Sequence, residues 1–191
     1  MRELRNADKY STVYKDVYRS LTHRLTKADS LKSSRIRALS DQGVPRSLID
    51  YYAIAGSARS LHSAYDKLSN PDDLITVHRR TIFYSEHQGA CRYGYAANHA
   101  GDDPPVYMSC DRENAKWYKV CQSISDFLTV MLLWNATFGG ALKFSGDQLV
   151  SANFQKNIVK SGVSYRGLVN GMKGYSSRGF AICFVKWGWA V

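Results

Sequence analysis

Tyr10, Val13, Tyr14, Val17, Leu21 and Leu25 recur at spacings of three and four among Lys and Arg residues, which predicts an amphipathic helical region over residues 9 to 40. A second short helix over Leu31 to Leu39 is expected inside it, capped by Asp29 or Ser30. Gly43-Val44-Pro45 then breaks the pattern and starts another helix, because Pro fits a first helical turn. Leu48, Ile49, Tyr52 and Ala53 give that helix its apolar face, and Gly56 stands where a left-handed C-terminal cap would go. Further helix is expected around Leu61 to Leu68, before a turn at Asn70-Pro71-Asp72-Asp73.

From Arg80 the period falls to two. Thr81 to Ser85, Cys91 to Ala96, Val106 to Cys110 and Lys116 to Cys121 are short runs rich in Tyr, Phe, Val and Ile, parted by Gly, Asn, Asp and Pro. They predict an antiparallel meander, with Gln88-Gly89 turning a hairpin between the first two strands. Ser123, followed three residues later by Asp126, opens a strongly apolar helix that Gly139-Gly140 ends. The Asn135-Ala136-Thr137 sequon lies inside that helix and is read as accidental. Beyond it come a helix over Gln148 to Val159, a stretch containing Gly171, Gly174 and Gly179, and a buried strand from Phe180 to Val185. The expected class is α+β: a meander of about four to six strands packed against helices. Residues 1–42 form a basic helical extension, and residues 43–191 one domain.

Charge divides the chain more sharply than hydrophobicity does. Residues 1–46 hold 11 Lys+Arg and 5 Asp+Glu, for +6; residues 47–142 hold 8 and 10, for −2; residues 143–191 hold 7 and 1, for +6. Clustered cations of this kind confer sequence-independent affinity for nucleic acid, or form solvated faces. Four separated cysteines without a signal-like segment point to a reduced, cytoplasmic interior with buried thiols. The apolar run Phe127 to Trp134 is far shorter than the roughly 18 residues of a membrane span, so no membrane partner is expected.

Reactive side chains crowd residues 85–111. His87, Cys91, His99 and Cys110 could ligate zinc, but their spacing lacks a Cys-x-x-Cys knuckle, and no metal or cofactor is expected. Cys91 would share a strand face with Tyr93 and Tyr95 as a small apolar side chain. A Cys–His pair formed by the fold would show itself as one unusually reactive thiol. Asp72-Asp73 and Asp102-Asp103 sit in turns beside Pro, where adjacent acids seldom share one site. No catalytic set emerges.

The stretches GVPRSLIDYYAIAGS (43–57), IFYSEHQGACRYGY (82–95), DDPPVYMSCD (102–111) and SISDFLTVMLLWNATFGG (123–140) together resemble, in order and spacing, the SUKH superfamily of cell-wall-assembly-regulator-like domains. The resemblance covers residues 43 to 140. It implies an α+β fold without enzymatic activity, and a role in binding a protein partner, as in immunity proteins that block a toxin domain, often a nuclease. On that basis Glu86, Arg92, Asp102, Asp103 and Tyr107 are the expected partner contacts, as Arg and aromatic anchors with acids set against a basic target. The alternative from another class is a basic nucleic-acid-associated protein using its charged ends.

Overall fold

A computed structural model describes residues 9–111, 116–138, 142, 146 and 151–185. Helix α1 (Lys9–Ser20) is followed by α2 (Ser33–Asp41), α3 (Arg46–Ala55) and the single turn α4 (Arg59–His62). Strands β1 (Lys67–Leu68), β2 (Ile75–Val77), β3 (Arg80–Ser85), β4 (Arg92–Ala96), β5 (Val106–Ser109) and β6 (Tyr118–Cys121) come next. Helix α5 (Ile124–Thr137) then leads to α6 (Ala152–Lys160) and to β7 (Ser164–Val169), β8 (Met172–Ser177) and β9 (Phe180–Phe184). The fold is α+β, as the sequence predicts, with two antiparallel sheets. The first runs β1-β3-β4-β5-β6, with β2 also on β3; the second runs β7-β8-β9.

Helix α5 is the shared core. Ser123 accepts the Asp126 N–H at 3.1 Å, the predicted cap, and both sheets pack on the helix. Phe127, fully buried, meets Phe83, Tyr84 and Tyr93 of the first sheet at ring distances of 5.5, 5.3 and 5.0 Å. Such edge and tilted contacts add to the area they bury. Asn135 has no exposure and ties three elements together: its amide donates to Tyr84 Oη at 2.7 Å and to the His62 carbonyl at 3.3 Å, and its Oδ1 accepts the Tyr65 N–H at 2.7 Å. The sequon is therefore part of the core. Helix α1 joins it through Tyr14, Val17 and Tyr18, with Tyr14 donating to the Ser47 carbonyl at 3.1 Å and Tyr18 sharing a 2.8 Å hydrogen bond with Tyr51.

Several local expectations are corrected. Helix α2 starts at Ser33, not Leu31, and its N-cap is Lys32 rather than Asp29 or Ser30; the Asp29 carboxylate instead accepts from Thr26 N–H and Oγ1, at 2.7 and 2.8 Å, around a separate 3-10 turn. Gly56 is right-handed (φ −62°), and its glycine requirement is one of space, since a Cβ would lie 2.6 Å from Leu31 Cγ. The helix expected up to Leu68 stops at His62, because Lys67 and Leu68 pair with Ser85 and Tyr84 on the edge of β3. The Gln88-Gly89 turn forms as predicted, with Gly89 at φ +72° donating to the Glu86 carbonyl at 2.9 Å. Gly139-Gly140 and Gln148 to Val150 lie outside the described residues.

The cysteine reading changes most. Cys91 and Cys110 form a disulfide, 19 residues apart. Arg92 pairs with Ser109, so the next residues outward, Cys91 and Cys110, face each other at the end of the β4–β5 ladder. Of the four expected thiols, Cys121 and Cys183 are free; burial pushes the Cys121 thiol up to about 11, as suits an inert side chain.

Candidate functional site

Strand alternation sorts the first sheet into two faces. Tyr93, Tyr95, Val106 and Met108 point toward the core and are buried. Arg92, Gly94 and Tyr107 fall on the opposite face, and register aligns Ile82, Gly94 and Tyr107 across β3, β4 and β5. Gly94 is the low point of this face. With no side chain there, the Arg80 guanidinium reaches diagonally over it to lie 4.0 Å from the centre of the Tyr107 ring. A Cβ at Gly94 would stand 2.8 Å from the Thr81 carbonyl and 3.4 Å from Arg80 Cβ, closing that gap. Arg92 makes a second such pair, 5.6 Å from Trp117, whereas the Lys116–Tyr118 pair, at 5.4 Å, belongs to the other face, because Tyr118 stands opposite Met108.

These pairs hold cations without neutralising them. Arg80 Nε, Arg92 Nε and Nη2, and Trp117 Nε1 are all buried, and no described residue accepts a hydrogen bond from them. A buried donor left without an acceptor costs on the order of 1–3 kcal/mol, more when charged. Arg80 and Arg92 are only half-buried as residues, so an acceptor delivered from outside would meet their exposed part rather than these buried atoms. The arrangement is thus a set of aromatic-braced cationic donors, suited to carboxylate or other oxyanion acceptors.

The expected contact residues divide accordingly. Arg92 and Tyr107 are on this face. Asp103 is not available: its carboxylate accepts from Ser125 N–H at 2.9 Å and Ser125 Oγ at 2.5 Å, holding the loop to the first turn of α5, where a helix favours negative charge. Asp102 remains exposed, and its carbonyl accepts the Ser47 N–H at 2.9 Å, fastening the same loop to α3. Glu86 braces its own hairpin, accepting from Gln88 and Ala90 N–H at 3.0 and 3.1 Å. Sequence reasoning missed Arg80 and Trp117, because each matters through a ring or guanidinium on a neighbouring strand.

Glu86 also belongs to the cluster with the clearest metal-ligating chemistry among the described residues. Asp66, Glu86 and His87 bring one ligand atom each within 4.8 Å of one another. His87 Nδ1 pairs with Glu86 and lies 3.8 Å from Asp66, whose carboxylate also accepts the His87 N–H at 3.1 Å. Carboxylate and imidazole donors of this kind suit zinc or a similar divalent ion. Backbone N–H groups of the turn already engage both carboxylates, whereas His87 Nδ1 is buried and makes no hydrogen bond with any described residue. The zinc set considered from sequence does not assemble: Cys91 and Cys110 are bonded together, and His99 lies within reach of the Gly101 and Gly43 carbonyls at 3.0 and 3.1 Å.

Among the described residues no helix is long and apolar enough to cross a membrane. Comparison with protein families, curated proteins and solved structures finds no match to this chain.

Proposed function

We propose that this chain is a non-enzymatic protein-binding module that docks an acidic surface of its partner on the outer face of the first sheet. One observation carries the reading: Arg80 and Arg92 are braced over Tyr107 and Trp117 with buried donors that no described residue satisfies. Arginine and aromatic side chains are the residues that most often anchor protein interfaces. The order of helix, meander and capped helix supports a SUKH-type module, and immunity against a toxin domain is the most specific form of that proposal. The charge of the docking face is opposite to the one first expected, since Asp103 is engaged within the fold and the face offers cations. The Cys91–Cys110 disulfide supports work in an oxidising compartment rather than the cytoplasm.

The test is capture from native lysate with nuclease treatment at moderate salt, comparing the wild-type chain with Arg80→Glu/Arg92→Glu. A protein captured by the first and lost by the second, both folded by circular dichroism, is the expected result. A partner that binds both equally would remove this face from the proposal.

A further inference from the structure

The two +6 segments of the sequence meet in space. The end of α1 packs against the second sheet: Ser20 Oγ donates to Ser176 Oγ at 2.8 Å, and the Gly179 N–H donates to the Ser20 carbonyl at 2.6 Å. Between them lies an open cleft of roughly 1130 Å³, far from the outer face of the first sheet in the chain and built from other elements. Lys15, Arg19 and Arg24 line it from the N-terminal segment, and Arg166 and Arg178 from the C-terminal one. Asp16 is the one carboxylate among the lining residues, and it accepts from Arg19 at 2.5 Å.

We infer that this cleft binds the phosphodiester backbone of nucleic acid. Five cations against one carboxylate leave a surplus of four positive charges within a single concavity, where field lines concentrate. Four of the five cations are arginines, whose forked donors match phosphate oxygens. Arg166 is positioned in advance: its Nε donates to the fully buried Ser176 Oγ at 2.8 Å, and no described residue accepts from its Nη nitrogens. His23 Nε2 is buried in the same wall, again with no acceptor or donor among the described residues. The C-terminal end of α1 brings negative partial charge, and the Gly179 N–H on the Ser20 carbonyl offsets part of it. Tyr18 is the one aromatic ring besides His23 in the lining, and it is fully buried, so the cleft itself offers bases no exposed tyrosine, tryptophan or phenylalanine ring to stack on. Contacts are then to backbone only, without sequence preference.

The inference is independent of the docking proposed for the first sheet, and one experiment separates them. Fluorescence anisotropy with a labelled 20-base-pair duplex is expected to show saturable binding at about 50 mM salt, weakening about a hundredfold by about 200 mM, as roughly four neutralised phosphates require. Arg24→Glu/Arg178→Glu, at exposed positions that leave the core untouched, should weaken it at least tenfold and flatten the salt slope. Arg80→Glu/Arg92→Glu should leave it unchanged. Absence of binding at low salt, or equal binding by the cleft variant, would overturn the inference. So would loss of binding in the sheet variant alone, or equal displacement by a polyglutamate peptide of matched charge, which would make the occupant an acidic protein.

Discussion

The first sheet lays Phe83, Tyr84 and Tyr93 against Phe127 of α5, whereas the second lays glycine backbone against the same helix. A Cβ at Gly174 would come 3.0 Å from Leu133 Cδ1, and one at Gly167 would come 2.9 Å from Val130 Cγ2. One sheet interlocks with the helix through rings; the other is held close by lacking side chains. The consequences run outward. The first sheet buries the apolar groups of its central strands β3, β4 and β5 and leaves Ile75 and Tyr118 exposed on its outer strands; it is tied by a disulfide and presents braced arginines, while the second leaves Tyr165, Leu168 and Phe180 substantially exposed and lends its charge to the cleft with α1. A single helix thus supports a well-packed platform on one side and a thinner, basic wall on the other.

The widest gap between the two should appear on mutating the shared helix. Phe127→Ala removes a fully buried ring and is expected to cost about 3–5 kcal/mol in denaturant unfolding, against about 1–3 kcal/mol for Gly174→Val, which overpacks the second interface. A larger loss from Gly174→Val would reverse the ranking of the two interfaces. Next in size, Cys91→Ser/Cys110→Ser frees a 19-residue separation and should lower stability by about 3 kcal/mol. Cys183→Ser in the second sheet should change little. If reductant shifts the wild-type unfolding midpoint no more than that of the double variant, the disulfide does not hold the first sheet together in solution.

Legibility in the sequence follows the same division. The hairpin of β3 and β4, the cap at Ser123 and the start of α3 after Pro45 were readable because each rests on neighbours in sequence: a Gly in a turn, a hydroxyl three residues from an N–H, a ring with fixed φ. The second sheet was half hidden. Its β7–β8 hairpin turns at Asn170-Gly171, both with positive φ, flanked by buried Val169 and Met172, so a signal was present. Gly167 and Gly174 masked it by interrupting the alternation, and they do so because α5 lies against them. The candidate face was legible only in Arg92 and Tyr107. Arg80 joins them across Gly94, and Cys91 joins Cys110, through register that no linear spacing encodes. Asp103 looked like a contact and is a helix anchor for the same reason, its partner lying 22 residues away.

The smallest expected effect is a pH profile that is level because two slopes cancel. Burial raises the Asp66 carboxyl from 3.8 to about 6, and it lowers the His62 imidazole from 6.5 to about 4, with Arg59 assisting. Between those limits folded Asp66 keeps a proton the unfolded chain has released, so its contribution is full at low pH and is lost as pH rises through 6. His62 does the reverse: unfolded it takes up a proton that the folded site refuses, so its contribution is full at neutral pH and is lost as pH falls through 4. Wild-type stability should therefore stay nearly constant between about pH 4.5 and 6. Asp66→Asn should make it fall on acidification, and His62→Gln should make it rise, with Glu86 and His87 beside Asp66 present in both variants. The strands of the second sheet contain no Asp, Glu or His, so this response belongs to the platform side of α5. A profile unchanged by Asp66→Asn would show that this carboxyl titrates alike in the folded and unfolded chain, and the site at Asp66, beside the start of β1, would then be more hydrated than the rest of the first sheet.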